Sequence, residues 1–340
     1  MIQNLLRTIL DGGTVSAAGL QEVLESAMRG EVEPIALGGL LALLATRAVE
    51  ADWLVAGARA LRAHGRSIRA QVRPLIDTCG TGGDGAHTFN ISTAAALVVA
   101  ASGCAVAKHG NRGVSSKVGS ADVLEAAGAR LDLPAERARE LLDATGFTFL
   151  FAPVYHPAVR HVAPVRKALG VRTLFNLLGP LANPAHAEFQ LLGVYSPSLT
   201  EVVARALAEL GSKSALVVHC EGLDEIGLHA ATTGHLLREG RVEPIRLLPA
   251  DFGVAPATLD DLRGADDAGG NERILREALV GDRGPRADAV AINAAAALWV
   301  AGRVQDLRDG MATARSVMRS GAALRVLERF VESSREEVRA

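Results

Sequence analysis

Between residues 75 and 102 a short apolar run ending in Asp77 breaks into the turn Gly80-Thr81-Gly82-Gly83-Asp84-Gly85, and an Ala/Val-rich segment follows. Strand, glycine turn and buried helix in that order form the opening of a βα unit. The unit recurs: strands are predicted at 75–77, 104–107, 189–195 and 214–219, with helices at 92–102, 120–127 and 135–144 between them. Such alternation requires a largely parallel sheet, with ligands held outside the carboxyl ends of its strands. A hairpin is expected where Arg238-Glu239-Gly240-Arg241 separates strands 232–237 and 242–248, and helices from Asn271 onward.

Residues 2–64 carry helical periodicity only. Leu20, Val23, Leu24, Ala27 and Met28 make one face; Leu54, Gly57, Ala58 and Leu61 make another. Ser16 is the expected N-cap of the first and Arg29-Gly30 its stop. The pattern Ser198-Leu199-Thr200-Glu201 is a capping box opening another helix. The fold class is therefore α/β: a small N-terminal helical domain, 1–68, plus a larger α/β domain, 72–340, with a mostly parallel central sheet. Residues 147–184 differ, being dense in proline and aromatics. Pro157 suits a first helical turn and Pro164 a kink or a new start.

With 340 residues, 49% of them apolar, the chain can bury a full α/β core and a second, smaller unit. A net charge of −2 gives no global pull towards nucleic acid or acidic lipid. Cys79, Cys104 and Cys220 lack CxxC spacing, which argues against a zinc site or a disulfide framework and suits a reducing cytoplasm. A secretory signal is not expected, since residues 1–13 carry no basic region followed by an apolar one, and the uncharged stretch 91–107 is shorter than the ~20 residues a bilayer span needs. Only four of the 36 basic side chains are lysines, so Lys108 and Lys117 stand out.

The glycine turn is suited to an anion. Glycines let backbone N–H groups approach a ligand, and the helix start beyond adds unpaired donors and a positive dipole end. Asn90, Ser92 and Thr93 can cap that helix or contact a phosphate. A Walker loop is excluded, because Asp84 stands where that pattern needs lysine. After the strand 104–107 comes a second cluster, Lys108, His109, Asn111, Arg112, Ser115, Ser116 and Lys117, with Gly110 and Gly113 between. Two polyanion-binding loops in tandem point to a doubly phosphorylated small molecule. Asp224 and Glu225, in the acidic turn after 214–219, are an oxygen pair of the kind magnesium takes alongside substrate phosphates. His109 is open to three readings: base, stacking partner or satisfied polar residue.

The ordered set GTGGD, NIST, KHGNR, VSS and GSADVLE over 77–125, continued by FLFAPVYHPA, VRKALGVRTLFNLLGPLANPA and GLDE, resembles the anthranilate phosphoribosyltransferase family over nearly the whole chain. The resemblance implies a nucleoside phosphorylase/phosphoribosyltransferase-like fold in which part of 156–184 joins the helical domain, and a homodimer formed through the N-terminal helices. It implies that the amine of anthranilate displaces pyrophosphate from 5-phosphoribosyl 1-pyrophosphate, in tryptophan biosynthesis. Contacts to the phosphoribosyl donor would come from Gly80, Gly83, Asp84, Thr88, Asn90, Ile91, Ser92, Thr93, Lys108, His109, Gly110, Asn111, Arg112, Gly113, Val114, Ser115, Ser116 and Ser120. Anthranilate would meet Gly80, Asn111 and Arg166, with His109 against its ring, and magnesium would meet Ser92, Asp224 and Glu225. No residue is assigned acid–base work. Pyrimidine nucleoside phosphorylases share this architecture with a different second loop. A related DNA-binding branch should show a basic groove and a degraded donor site, whereas this chain is mildly acidic and keeps GTGGD, NIST and DE together.

Overall fold

A computed structural model describes residues 1–113, 117–281 and 283–336. The chain opens with four helices, α1 (Ile2–Leu10), α2 (Ala17–Met28), α3 (Pro34–Ala45) and α4 (Ala51–Ala63). Ser16 caps α2 by accepting from Gly19 N, and Gly30 follows the helix in the left-handed region. Every apolar residue expected on the inner faces of α2 and α4 is buried.

Seven strands then build one sheet: β1 (Leu75–Gly80), β2 (Ala105–Gly110), β3 (Phe147–Phe151), β4 (Phe189–Gly193), β5 (Ser214–His219), β6 (Thr232–Arg238) and β7 (Arg241–Leu247). Their order is β3-β2-β1-β4-β5-β6-β7. The first five are parallel, and the β6–β7 hairpin is added antiparallel at one edge. The strand order reverses between β1 and β4, the place where open α/β sheets bind ligands. There Gly80 pairs in register with Gly193.

Four local expectations need correcting, the first being that β3 is a strand where the sequence reading placed none. β2 extends through Lys108 and His109 to Gly110, so these residues belong to the strand and not to the loop after it. β1 likewise runs on to Gly80. Ser198 does not cap a helix: a 3-10 turn, Pro197–Leu199, intervenes, the helix Thr200–Glu209 has no side-chain cap, and Ser198 Oγ bonds Ser196 Oγ at 2.9 Å. Pro157 opens the 3-10 turn Pro157–His161, and Pro164 lies in the first turn of the helix Ala163–Leu169.

Alternation along the strands divides two cores. Leu191, Leu216 and Val218 join a cluster built on α5 (Ile91–Ala101) and the helix Pro285–Val300. These two helices are alanine-rich and almost wholly buried, which lets them pack closely beneath the sheet. Leu192, Ala215, Val217 and Leu237 face the other way, into a cluster with α2, α3 and α4. Val162, Val165, Leu174, Phe175 and Leu178 complete that second core, so the segment after β3 returns to pack on the N-terminal helices.

Candidate active site

The glycine turn leaves β1 and is held from two sides. Thr81 N donates to Gly193 O at 2.9 Å, and Gly82 N donates to Asp224 Oδ2 at 2.7 Å. Gly82, Gly83 and Gly85 have φ of 64°, 76° and 78°, a region where side chains are strained. Asp84 accepts from Ala86 N through Oδ1 (3.1 Å) and from Asp224 N through Oδ2 (3.3 Å).

The acidic turn after β5 therefore lies against the glycine turn. Ile226 behind it exchanges hydrogen bonds with the buried Asn293 side chain. Two glycines leave it room. A Cβ on Gly193 would stand 1.5 Å from Asp224 O, and one on Gly80 2.3 Å from Asp224 Oδ2. Glu225 Oε1 accepts from Ser92 N at the start of α5, 3.0 Å away. The loop before α5 is pinned in turn, since Phe89 N donates to Leu262 O and Thr88 bridges Arg263.

Electrostatics mark this corner. Burial, then the neighbouring Asp84 and Glu225, hold the Asp224 carboxyl well above the usual range. Burial raises Glu225 to about 7, partly offset by Lys108 and Ser92. Carboxyls crowded in this way favour a proton or a cation. No group of three or more His, Cys, Asp or Glu side chains among the described residues could hold a metal alone. The adjoining carboxylates of Asp224 and Glu225, the latter beside the Ser92 hydroxyl, are nevertheless hard oxygens of the kind magnesium takes together with substrate and water.

Lys108 is buried beneath the turn. Its Nζ donates to Thr78 O and, at 3.3 Å, to Ser92 Oγ. Fully buried Asp77 supports the same strands: Asn183 Nδ2 donates to it at 2.7 Å and His109 N at 3.3 Å. Burial raises Asp77 to about 6 despite the Lys108 charge. His109 Nδ1 lies 2.9 Å from Gly179 O, and its buried Nε2 has no partner. Burial and then His156, whose ring centroid is 5.1 Å away, push His109 down to about 3, so the ring is neutral. Arg166 lies with its Cζ 5.5 Å from the Phe175 ring centroid, and burial lowers its pKa.

The family described as "Glycosyl transferase family, a/b domain" matches residues 72–324, and "Glycosyl transferase family, helical bundle domain" matches 3–65. An anthranilate phosphoribosyltransferase of Sorangium cellulosum is 48% identical, covering 99% of this chain and 97% of its own. The chain belongs to the anthranilate phosphoribosyltransferase family. The Thermus thermophilus enzyme of that family superposes with a TM-score of 0.91 at 46% identity, over 98% of this chain and 99% of its own. The Saccharomyces cerevisiae enzyme in complex with PRPP and Mg gives 0.89 at 28% identity, over 98% and 97%.

Of the residues expected from the family pattern, Gly80, Asp84, Ser92, Lys108, Asp224 and Glu225 converge through the contacts above. Ile91 and Thr93 are buried at the start of α5, where Thr93 Oγ1 and Asn90 Oδ1 have no partner. Arg112 is engaged elsewhere, its guanidinium on Glu125 (2.8 Å) and Asp122 (3.3 Å). Asp122 also accepts from Gly113 N, and Asn111 O accepts from the Ser120 hydroxyl, which shapes the second loop. Val114, Ser115 and Ser116 lie outside the described residues. The family motifs gave no role to Gly193, Asp77 or Asn183. Their positions show only once β1, β2 and β4 are paired.

Proposed function

We propose that this chain transfers the phosphoribosyl group of 5-phosphoribosyl 1-pyrophosphate to the amine of anthranilate, giving N-(5-phosphoribosyl)anthranilate and pyrophosphate. The observation that carries the reading is the joining of glycine turn, α5 start and acidic turn through Gly82 N–Asp224 and Ser92 N–Glu225, at the sheet's reversal point. The yeast relative with PRPP and Mg has the same fold.

The arylamine is uncharged at neutral pH and brings a free lone pair, so activation of the nucleophile is a minor problem. The leaving group is the harder one, because charge accumulates on pyrophosphate as the anomeric carbon becomes oxocarbenium-like. Thr81, Gly82 and Ser92 already donate to Gly193, Asp224 and Glu225, so the N–H groups of the glycine turn beyond Gly82, with the positive end of α5, would bind that charge. Asp224, Glu225 and Ser92 would hold magnesium, which supplies charge neutralisation at the pyrophosphate. Lys108 acts from below, keeping Ser92 and Thr78 in place and balancing Asp77 and Glu225. Arg166 would face the anthranilate carboxylate, and neutral His109 would line the acceptor pocket without moving a proton.

The copy number and the workplace belong to the same proposal. Leu10 at the end of α1 is 69% exposed and Ile35 at the start of α3 90%, apolar side chains that a second copy would cover in a homodimer. All three cysteines are free thiols, as suits the cytoplasm. The decisive assay is release of pyrophosphate with magnesium and the phosphoribosyl donor, with and without anthranilate. Anthranilate-dependent release is expected; its absence ends the reading.

A further inference from the structure

The stretch joining the helices Ala163–Leu169 and Phe175–Leu181 carries an arginine the mechanism above does not use. The Arg172 guanidinium stacks on Tyr195, 4.4 Å from the ring centroid, and Nη2 donates to the carbonyl of Gly83 in the glycine turn. A trans peptide holds its C=O and N–H antiparallel, so fixing the Gly83 carbonyl also fixes the direction of the Asp84 N–H. The aromatic platform is tied to the same turn, because Tyr195 N donates to Thr81 Oγ1 at 3.1 Å. On the opposite side Gly82 and Asp84 are bound to Asp224. The turn is thus suspended between the acidic turn and Arg172, which shares its segment with Arg166.

We propose that Arg172 is a positioning residue that couples occupancy of the acceptor pocket to the shape of the phosphoribosyl-donor turn. This rests on the assignment of the two substrates above. An acceptor carboxylate held by Arg166 steadies the helix Ala163–Leu169, and Gly170, left-handed at its end, passes the chain directly to Arg172. Arg172 then holds the Gly83–Asp84 peptide in its phosphate-receiving orientation. Coupling of this kind is reciprocal, so each substrate should tighten the other.

The test uses benzoate, which has the acceptor's carboxylate but no amine and so cannot react. Affinity for the magnesium-loaded phosphoribosyl donor is measured by calorimetry with and without saturating benzoate. In the parent, benzoate should raise that affinity by a factor on the order of five or more. In Arg172→Ala the factor should fall to near one, and Arg172→Lys, which keeps the charge and N–H donors but not the planar guanidinium, should retain part of it. Tyr195→Leu, which removes the platform while leaving the arginine, should behave like Arg172→Ala, whereas Tyr195→Phe should behave like the parent. This second pair answers the question should Arg172→Ala fail to fold. A parent without coupling, or variants that keep it in full, would overturn the proposal while anthranilate-dependent pyrophosphate release in the parent still stood. Loss of that release in the parent would instead remove the function on which the proposal rests.

Discussion

Arg166 is a guanidinium partly withdrawn from water, stacked on Phe175 and lowered in pKa by burial alone. A carboxylate gripped there gains charge-assisted hydrogen bonds of about 1.5–3 kcal/mol. Arg166→Ala should weaken anthranilate by roughly 10- to 100-fold, with far less effect on the phosphoribosyl donor. Aniline, which lacks the carboxylate, should be a poor substrate that the mutation barely harms further. Equal losses with both amines would place Arg166 outside the acceptor pocket. Asp77 offers a different test. Its carboxyl titrates at about 6 in the fold, against ~3.9 in an unfolded chain. The fold therefore favours the protonated acid, a contribution complete below pH ~4 and lost as pH rises through about 6. Asp77→Asn should gain stability relative to the parent between pH ~4 and ~7.5, by at most about 3 kcal/mol. Urea unfolding at both pH values reads the difference; a variant that falls further behind the parent with rising pH would contradict it.

Among the elements, β2 shows what was legible and what was not. Alternation and glycine spacing were enough for four of the five parallel strands, because those signals are local, but not for β3, hidden at the start of the proline- and aromatic-rich 147–184. The end of β2 was misplaced because a lysine followed by histidine and glycine reads as loop. Lys108 is buried in a strand only because Thr78 O and Ser92 Oγ, from β1 and α5, receive its ammonium. Gly193 was illegible for the same reason, since the backbone that forbids a side chain there belongs to the acidic turn. Gly193→Ala should drive that backbone away from the glycine turn. We expect a destabilisation of about 1–3 kcal/mol with the fold kept, and a loss of more than about tenfold in kcat/KM together with a raised magnesium requirement. Circular dichroism and magnesium titration of turnover separate the two effects. Unchanged turnover would mean that the acidic turn is not placed by this glycine.

For the whole molecule, the exposed Ile35 and Leu10 carry the prediction. The parent should sediment as a dimer, and Leu10→Glu with Ile35→Glu as a monomer, since two buried charges without partners oppose association. A monomeric parent at micromolar concentration would end the dimer proposal. The division of the sheet between two cores has a consequence for how the chain is made. The helices α1 to α4 emerge from a ribosome before the sheet does, yet Leu192, Val203, Leu207 and Val217, which share their core, come much later. At about 5–20 residues per second α4, which the helix Thr200–Glu209 covers, waits roughly 10–30 s for that cover. During synthesis the apolar faces of these helices are thus made well before the strands that cover them, and for that interval they are open to a chaperone.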